Sequence, residues 1–161
     1  MGAGKSSVAP LLARALELGT CDLDEEIAAE TGLALHELFA REAEAGFRAR
    51  ERALLVALGR RDGLVVATGG GVVLDPANRV TLRALGSVVF LVADPDTQLR
   101  RIDRGTGRPL LAAASDPRAW LVAAYAARLP LYREVADLEC RTDDLDLEQV
   151  VAALIARLRP T

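Results

Sequence analysis

Several residue types are scarce in this chain of 161 residues, and each scarcity excludes a class of protein. Two cysteines, Cys21 and Cys140, are too few for a disulfide framework and lack metal-ligand spacing, so we expect a reducing, cytoplasmic setting. Aromatic residues make up only 4%, which leaves no platform for stacking bases. No apolar run approaches the length of about 18 residues that suggests a membrane span. The net charge of −3 argues against a nucleic-acid partner.

Lysine occurs only once, as Lys5, and all the other residues among the 20 Lys and Arg are arginine. It lies in Gly2-Ala3-Gly4-Lys5-Ser6-Ser7, which matches the end of the phosphate-binding pattern Gly-x-x-x-x-Gly-Lys-Ser. In such a loop, backbone N–H groups surround the phosphates, the lysine reaches the β- and γ-phosphates, and the first hydroxyl binds Mg²⁺. A forked guanidinium replaces this compact ammonium poorly. The alternative is a chance lysine, with a prior of roughly 1 in 20.

The phosphate-loop pattern begins upstream of Met1, and it requires a β-strand before the loop. We therefore expect Met1 to be an internal methionine or a truncation point. A central strand with about four buried apolar side chains contributes on the order of 6–12 kcal/mol, which rivals the whole stability of a domain. We expect the chain without that strand to fold poorly.

Apolar spacing predicts an α/β fold, in which a short parallel sheet is flanked by helices on both faces. The predicted strands cover residues 20–23, 64–67, 87–92 and 137–141. The predicted helices run from the loop to about 18, ending at Gly19, and then cover about 25–30, 35–41, 46–60, 77–85, 95–101, 118–132 and 146–158. We expect one domain, 1–161, with the phosphate loop at 1–7, a substrate-binding region at about 24–60 and a lid at about 104–117.

Asp22-Leu23-Asp24 ends the first predicted strand. Since strand side chains alternate, an extended segment would place both carboxylates on one side. One interpretation is helix initiation, with Asp24 as the N-cap residue followed by acidic residues near the positive end of the helix dipole. The other is catalysis, because phosphoryl transfer needs one acid for the Mg²⁺ waters and another at the attacking hydroxyl. The nearby phosphate loop favours the second interpretation, and the two are compatible.

Three glycines, Gly69, Gly70 and Gly71, follow the predicted strand at 64–67. Glycine lets the backbone approach a ligand closely and exposes N–H donors. The alternative is a plain flexible turn. The carboxyl ends of parallel strands form the ligand site in open α/β sheets, so we expect these glycines to lie near Asp22, Asp24 and the phosphate loop.

Arginines are candidates for binding anions, but spacing alone does not select among them. Arg48 lies beside Arg50 and Arg52 on one predicted helix, and it could simply pair with Glu44 at the surface. The same limit applies to Arg128, which precedes Tyr132 by four residues.

A further basic cluster lies in a stretch rich in glycine and proline; it comprises Arg100, Arg101, Arg104 and Arg108. It is either an exposed charged turn or a mobile lid. We favour the lid, which would bring a guanidinium onto the transferring phosphoryl group and exclude water.

These motifs, in this order, resemble the shikimate kinase family. The resembling stretches are 1–7, 22–24, 46–51, 68–72, 108–111 and 128–132, and the resemblance extends over essentially the whole chain. The phosphate loop alone is shared by many NTPases, whereas the combination is specific. The resemblance implies a three-layer P-loop kinase fold and ATP-dependent phosphorylation of the 3-hydroxyl of shikimate, in the chorismate route to aromatic amino acids. It also implies a cytoplasmic monomer that binds neither nucleic acid nor membrane.

The resemblance implies a role for each site residue. Ser6 would ligate the Mg²⁺ ion, and Asp22 would hold a water molecule bound to it. Asp24 would bind the shikimate hydroxyl and orient or deprotonate it. Arg108 would bind the phosphates from the lid, and Arg101 would stack near adenine. The ATP phosphates would be held by Gly2, Ala3, Gly4, Lys5, Ser6 and Ser7.

On the substrate side, Arg48 and Arg128 would clamp the shikimate carboxylate, for which bidentate guanidinium geometry is suited. Glu51 would support Arg48, and Gly69, Gly70 and Gly71 would line the pocket.

The chain departs from the family at two places besides its beginning. Ala43 stands where a glycine is usual before Glu44, and we expect this to be harmless at a helix end. Around 143–145, where family members often offer an arginine to adenine, this chain has acidic residues and a leucine.

Two other functions are compatible with a phosphate loop. One is another small-molecule kinase, such as a gluconate kinase, which would not need the Arg48 and Arg128 pair. The other is a nucleotide-binding module without catalysis, although retention of Lys5, Asp24 and Arg108 argues against it.

Overall fold

The computed structural model describes residues 2–102, 111 and 114–158. Strands alternate with helices along these residues, as the apolar spacing predicts. The strands are β1 (Gly19–Asp22), β2 (Leu64–Ala67), β3 (Val89–Val92) and β4 (Leu138–Arg141). The helices are α1 (Lys5–Leu16), α2 (Leu23–Thr31), α3 (Leu35–Leu58), α4 (Pro76–Leu85), α5 (Pro95–Arg101), α6 (Pro117–Val135) and α7 (Leu147–Leu158), with a 3₁₀ turn at Val72–Leu74.

The strands form two parallel pairs. In the first pair Gly19 lies opposite Leu64 and Asp22 opposite Ala67; in the second, Val89 lies opposite Leu138. Parallel pairing brings the carboxyl ends of paired strands to the same end of the sheet. The segments that follow β1 and β2 therefore meet at one edge, where the functional residues were predicted to converge.

The two strand pairs form two separate sheets within the described residues, because β2 pairs only with β1 and β3 only with β4. Val66 on β2 and Val89 on β3 line one cavity of about 440 Å³. Lys5 lines the same cavity, so the phosphate loop borders it.

Three apolar clusters hold the helices against the strands. The first joins α1 and α7 to β3 and β4 through residues such as Leu12, Leu91 and Leu154. The second joins β1, α3 and α6, and the third packs Ile27 and Leu38 against Phe47. Among the described helices, none has both the length and the apolar character needed to span a membrane.

One predicted element boundary is wrong. The first helix does not end at Gly19: it ends at Leu16, Glu17 takes the left-handed conformation with φ 57°, and Gly19 begins β1. The helices predicted at 35–41 and 46–60 are the two parts of α3, which runs from Leu35 to Leu58 and is kinked between them at the non-helical residue Ala43. The predicted break in this region is therefore confirmed.

The expectation that Ala43 is harmless at a helix end is also wrong. Its backbone has φ 56° and ψ −178°, a region that is essentially restricted to glycine because the Cβ of other residues is strained there. This kink separates Glu42, which pairs with Arg50, from Glu44, which pairs with Arg48. The strained residue therefore directs two neighbouring carboxylates to two different arginines.

Replacing Ala43 with glycine is expected to stabilise the protein. Relief of the backbone strain outweighs the larger conformational entropy that glycine loses on folding, for a net gain of about 1 kcal/mol. Urea unfolding of the A43G variant should show a higher midpoint with an unchanged slope. Ala57→Gly, in the regular last turn of α3, is the control and should destabilise; equal effects of the two changes would contradict the strain.

Candidate active site

The phosphate loop turns sharply into α1. Gly4 is the N-cap residue of this helix with φ 92°, and Gly2 has φ 66°. A Cβ on Gly2 would lie 2.7 Å from the backbone oxygen of Gln98 on α5, so a larger residue does not fit there. Ala3, between the two glycines, is buried. The loop is thus packed against α5, and its helix N-terminus provides the polarity that binds phosphate.

Asp22 links β1 and α2 to the phosphate loop. Its Oδ2 accepts a hydrogen bond of 2.7 Å from the Ser6 hydroxyl, and its Oδ1 accepts one of 3.0 Å from the Asp24 backbone N–H. Asp22 is therefore the N-cap residue of α2, and the interpretation of Asp24 as the cap is wrong. The extended segment expected for Asp22-Leu23-Asp24 is wrong too, because the helix begins at Leu23.

The glycine loop, residues 69–71, passes close to three charged side chains. A Cβ on Gly69 would lie 3.0 Å from Oε1 of Glu51 and 3.3 Å from Oδ1 of Asp24. A Cβ on Gly71 would lie 2.6 Å from Cζ of Arg48 and would overlap its guanidinium nitrogens. The plain flexible turn is therefore the poorer interpretation, since a side chain at either position would displace one of these charged groups.

Arg48 and Glu51 form an ion pair on α3, in which Glu51 is buried and Arg48 is partly exposed. Nη1 of Arg48 lies 2.8 Å from Oε2 of Glu51, and its Nη2 lies 3.1 Å from Oε1 of Glu44. Burial lowers the pKa of the Arg48 guanidinium, but its pairing with Glu51 and Glu44 prevails and raises it. Burial raises the pKa of Glu51, with the nearby charge of Asp24 adding to the rise, while Arg48 opposes it. Arg48 is thus held as a cation beside the glycine loop.

The helix α6 carries Arg128 and Tyr132, which line the same cavity as Gly69 and Gly70. The guanidinium carbon of Arg128 lies 5.8 Å from the centre of the Trp120 ring, a cation–π contact. The Tyr132 hydroxyl donates a hydrogen bond of 2.6 Å to the carbonyl of Gly70. Tyr132 has no role in the sequence prediction beyond its place in the motif. The signal that could have pointed to a role for Tyr132 is its spacing from Arg128, because residues one helical turn apart lie on the same face of a helix.

Arg101, which is predicted to stack near adenine, is hydrogen-bonded to the segment that follows β4. It donates to the hydroxyl of Thr142 at 2.9 Å and also to the Thr142 carbonyl. Its place near adenine remains a prediction. Arg108 and most of the predicted lid, apart from 111 and 114–117, lie outside the described residues.

The structure brings most of the predicted site residues to the ends of β1 and β2. The Ser6–Asp22 bond joins the phosphate loop to the segment that carries Asp24, and the glycine loop joins Asp24 to Arg48 and Glu51. Such an arrangement places an anion cradle, a carboxylate and a guanidinium at one edge of the fold.

Comparison with known proteins identifies the family. A family model described as "Shikimate kinase" matches residues 1–159. Shikimate kinase of Pseudomonas entomophila (strain L48) is 47% identical over 159 residues, which cover 99% of this chain and 92% of that protein. The chain belongs to the shikimate kinase family. Shikimate kinase of Halorhodospira halophila (strain DSM 244 / SL1) is also 47% identical over 159 residues, covering 99% of this chain and 89% of that protein.

Solved shikimate kinases share the fold. Shikimate kinase from Acinetobacter baumannii in complex with shikimate matches with a TM-score of 0.94 and 37% identity, covering 98% of this chain and 88% of that one. Shikimate kinase from Aquifex aeolicus matches with a TM-score of 0.82 and 30% identity, covering 98% and 91%. The predicted P-loop kinase fold and the predicted family are confirmed.

Proposed function

We propose that this chain transfers the γ-phosphoryl group of ATP to the 3-hydroxyl of shikimate. The observation that carries the proposal is the convergence of the phosphate loop, Asp24 and the Arg48–Glu51 pair around one glycine loop. A shikimate kinase with shikimate bound has the same fold, and its ligand is an acid with several hydroxyls. Such a ligand needs a cation for its carboxylate and an acceptor for its reacting hydroxyl.

Each side chain has a distinct task in this proposal. Lys5 and the backbone N–H groups of the loop bind the β- and γ-phosphates and neutralise the charge that moves during transfer. Asp24 accepts the hydrogen bond of the 3-hydroxyl and takes its proton as the bond from this oxygen to the γ-phosphorus forms. The bond from the γ-phosphorus to the β–γ bridging oxygen breaks at the same time, and ADP leaves. Arg48 and Arg128 bind the carboxylate and fix which hydroxyl faces the phosphate. The rate enhancement comes from positioning and electrostatics, and no covalent intermediate forms on the protein.

Ser6 and Asp22 fit a Mg²⁺ ion that accompanies ATP. Both offer hard oxygen atoms, and their hydrogen bond of 2.7 Å places these atoms together beside the phosphate loop. The described residues contain no group of three or more His, Cys, Asp or Glu side chains that could hold a metal. Mg²⁺ in kinases commonly uses one or two protein ligands together with phosphates and waters, so a pair is sufficient. When bound, the ion would offset phosphate charge.

The direct test is an ADP-release assay with shikimate, quinate and gluconate as acceptors, with the phosphorylated product identified by NMR. We expect turnover with shikimate and phosphate on its 3-oxygen. Preferential turnover of gluconate would support a different small-molecule kinase. ATP binding without turnover of any acceptor would support a nucleotide-binding module.

Replacing Arg128 with alanine is expected to raise KM for shikimate at least tenfold while changing KM for ATP less than twofold, since a charged hydrogen bond contributes about 1.5–3 kcal/mol. Steady-state kinetics with each substrate varied in turn measure both constants. Arg133→Ala is the matched control, because Arg133 lies on the same helix but pairs with Glu139 at the surface. Equal effects on both substrates would remove Arg128 from the carboxylate site.

A further inference from the structure

Tyr132 connects two distant parts of the chain. Its hydroxyl donates to the Gly70 carbonyl at 2.6 Å across a sequence separation of 62 residues. Its ring stacks on Phe90 of β3 with centroids 4.8 Å apart and planes at 27°. The stack and the surrounding apolar residues fix the ring, so the hydroxyl has a defined position from which to donate.

The bonded carbonyl lies at the centre of the glycine loop. On one side, Gly69 lies against Asp24 and Glu51; on the other, Gly71 lies against the Arg48 guanidinium. Glycine has the most backbone freedom of any residue, so three in succession do not hold a conformation by themselves. A bond to the Gly70 carbonyl also polarises the Gly70–Gly71 peptide, which strengthens the N–H of Gly71 as a donor.

Other side chains hold the chain immediately after the loop. Asn78 donates to the carbonyl of Val72 at 3.1 Å, and Arg79 donates to the carbonyl of Val73 at 2.9 Å. These bonds fix the 3₁₀ turn from α4. Tyr132 fixes the loop itself from α6, the helix that also carries Arg128.

We propose that Tyr132 is a positioning residue, which holds the glycine loop against Arg48 and thereby sets the affinity of the site for its acid substrate. The identity of that acid rests on the proposed function, whereas the positioning of the loop does not. Burial raises the pKa of Tyr132, so the hydroxyl remains protonated and continues to donate at neutral pH. Without the bond the loop gains alternative conformations, and Arg48 loses the surface against which it lies.

Replacing Tyr132 with phenylalanine tests the proposal by removing one oxygen and keeping the ring. We expect KM for shikimate to rise about three- to tenfold, with KM for ATP changed less than twofold. The same hydroxyl also interacts with Arg128, so the amide exchange described next separates the effect on the loop from an effect on Arg128. Tyr125→Phe is the matched control, because it removes the only other tyrosine hydroxyl of the chain, from the same helix.

A second measurement does not depend on the reaction. The amides of Val72 and Leu74 donate to the carbonyls of Gly69 and Gly71 at 3.2 and 3.0 Å. In the Y132F variant we expect these two amides to exchange with deuterium at least threefold faster, and in Y125F at the original rate. If shikimate is not a substrate of the unaltered chain, the proposed function fails and the exchange rates still test the positioning.

Two results would overturn the role of Tyr132. One is unchanged amide exchange at Val72 and Leu74 in Y132F, which would show that the bond does not hold the loop. The other is a KM for shikimate that stays the same, or that rises together with KM for ATP by the same factor. A common rise of both KM values would indicate general loss of structure.

Discussion

The Lys5→Met variant is expected to lose most of its phosphoryl transfer, with kcat lower by roughly 10²–10³, and to bind ATP more weakly. The change removes the only lysine and replaces it with an uncharged side chain of similar length. Its charge lies at the N-terminus of α1, where the loop residues Gly2 and Gly4 have positive φ values that bring backbone N–H groups towards an anion. No arginine can substitute from a neighbouring position in the loop. Stopped-flow turnover and ATP titration by calorimetry measure the two losses.

Lys5→Arg is the informative companion to Lys5→Met. It keeps the charge but introduces a forked, planar group, and we expect it to recover ATP affinity more than turnover. Normal turnover and tight ATP binding in the methionine variant would contradict the role of Lys5. The unfolding midpoint of each variant should match that of the unaltered chain, which excludes loss of fold as the cause.

The Asp24→Asn variant is expected to keep ATP affinity and to lose turnover by roughly 10²–10⁴, the range that a general base contributes. Asparagine has nearly the same shape and can still hydrogen-bond a hydroxyl, but it does not accept a proton. Asp24 lies in the first turn of α2, beside Gly69 and next to Asp22. Single-turnover kinetics isolate the chemical step, and calorimetry measures ATP binding.

Glu30→Gln is a matched control for this change. It removes one negative charge from the same helix, but at an exposed position near the opposite end. We expect its turnover to match that of the unaltered chain. If Asp24→Asn also left turnover unchanged, Asp24 would have no part in proton transfer, and its place beside Gly69 would be structural.

The sequence was sufficient to predict the phosphate loop and the α/β alternation, because both depend on local patterns. Lys5 and its glycines are recognisable without any contact to the rest of the chain. The sequence alone could not predict which arginine of α3 faces the site. Arg48, Arg50 and Arg52 differ only in their partners: Arg50 pairs with Glu42 and Arg52 with Asp75, while Arg48 lies beneath Gly71.

Features that depend on tertiary contacts were beyond the local patterns. Alanine favours helix, so its own propensity does not indicate φ 56° at Ala43. The available signal was the glycine that the family usually has at this position, because glycine adopts positive φ without strain. Likewise, the bond from Tyr132 to Gly70 spans 62 residues and follows from the packing of α6 against the 3₁₀ turn and from the ring stack on Phe90.

The single lysine has a consequence for chemical labelling. Lys5 is the only lysine in the sequence, and it lies in the first turn of α1 beside the phosphate-loop glycines. An amine-acylating reagent therefore has no other lysine side chain to modify, and bound ATP should shield this one. The extent of Lys5 acylation, read by mass spectrometry, would then report nucleotide occupancy directly.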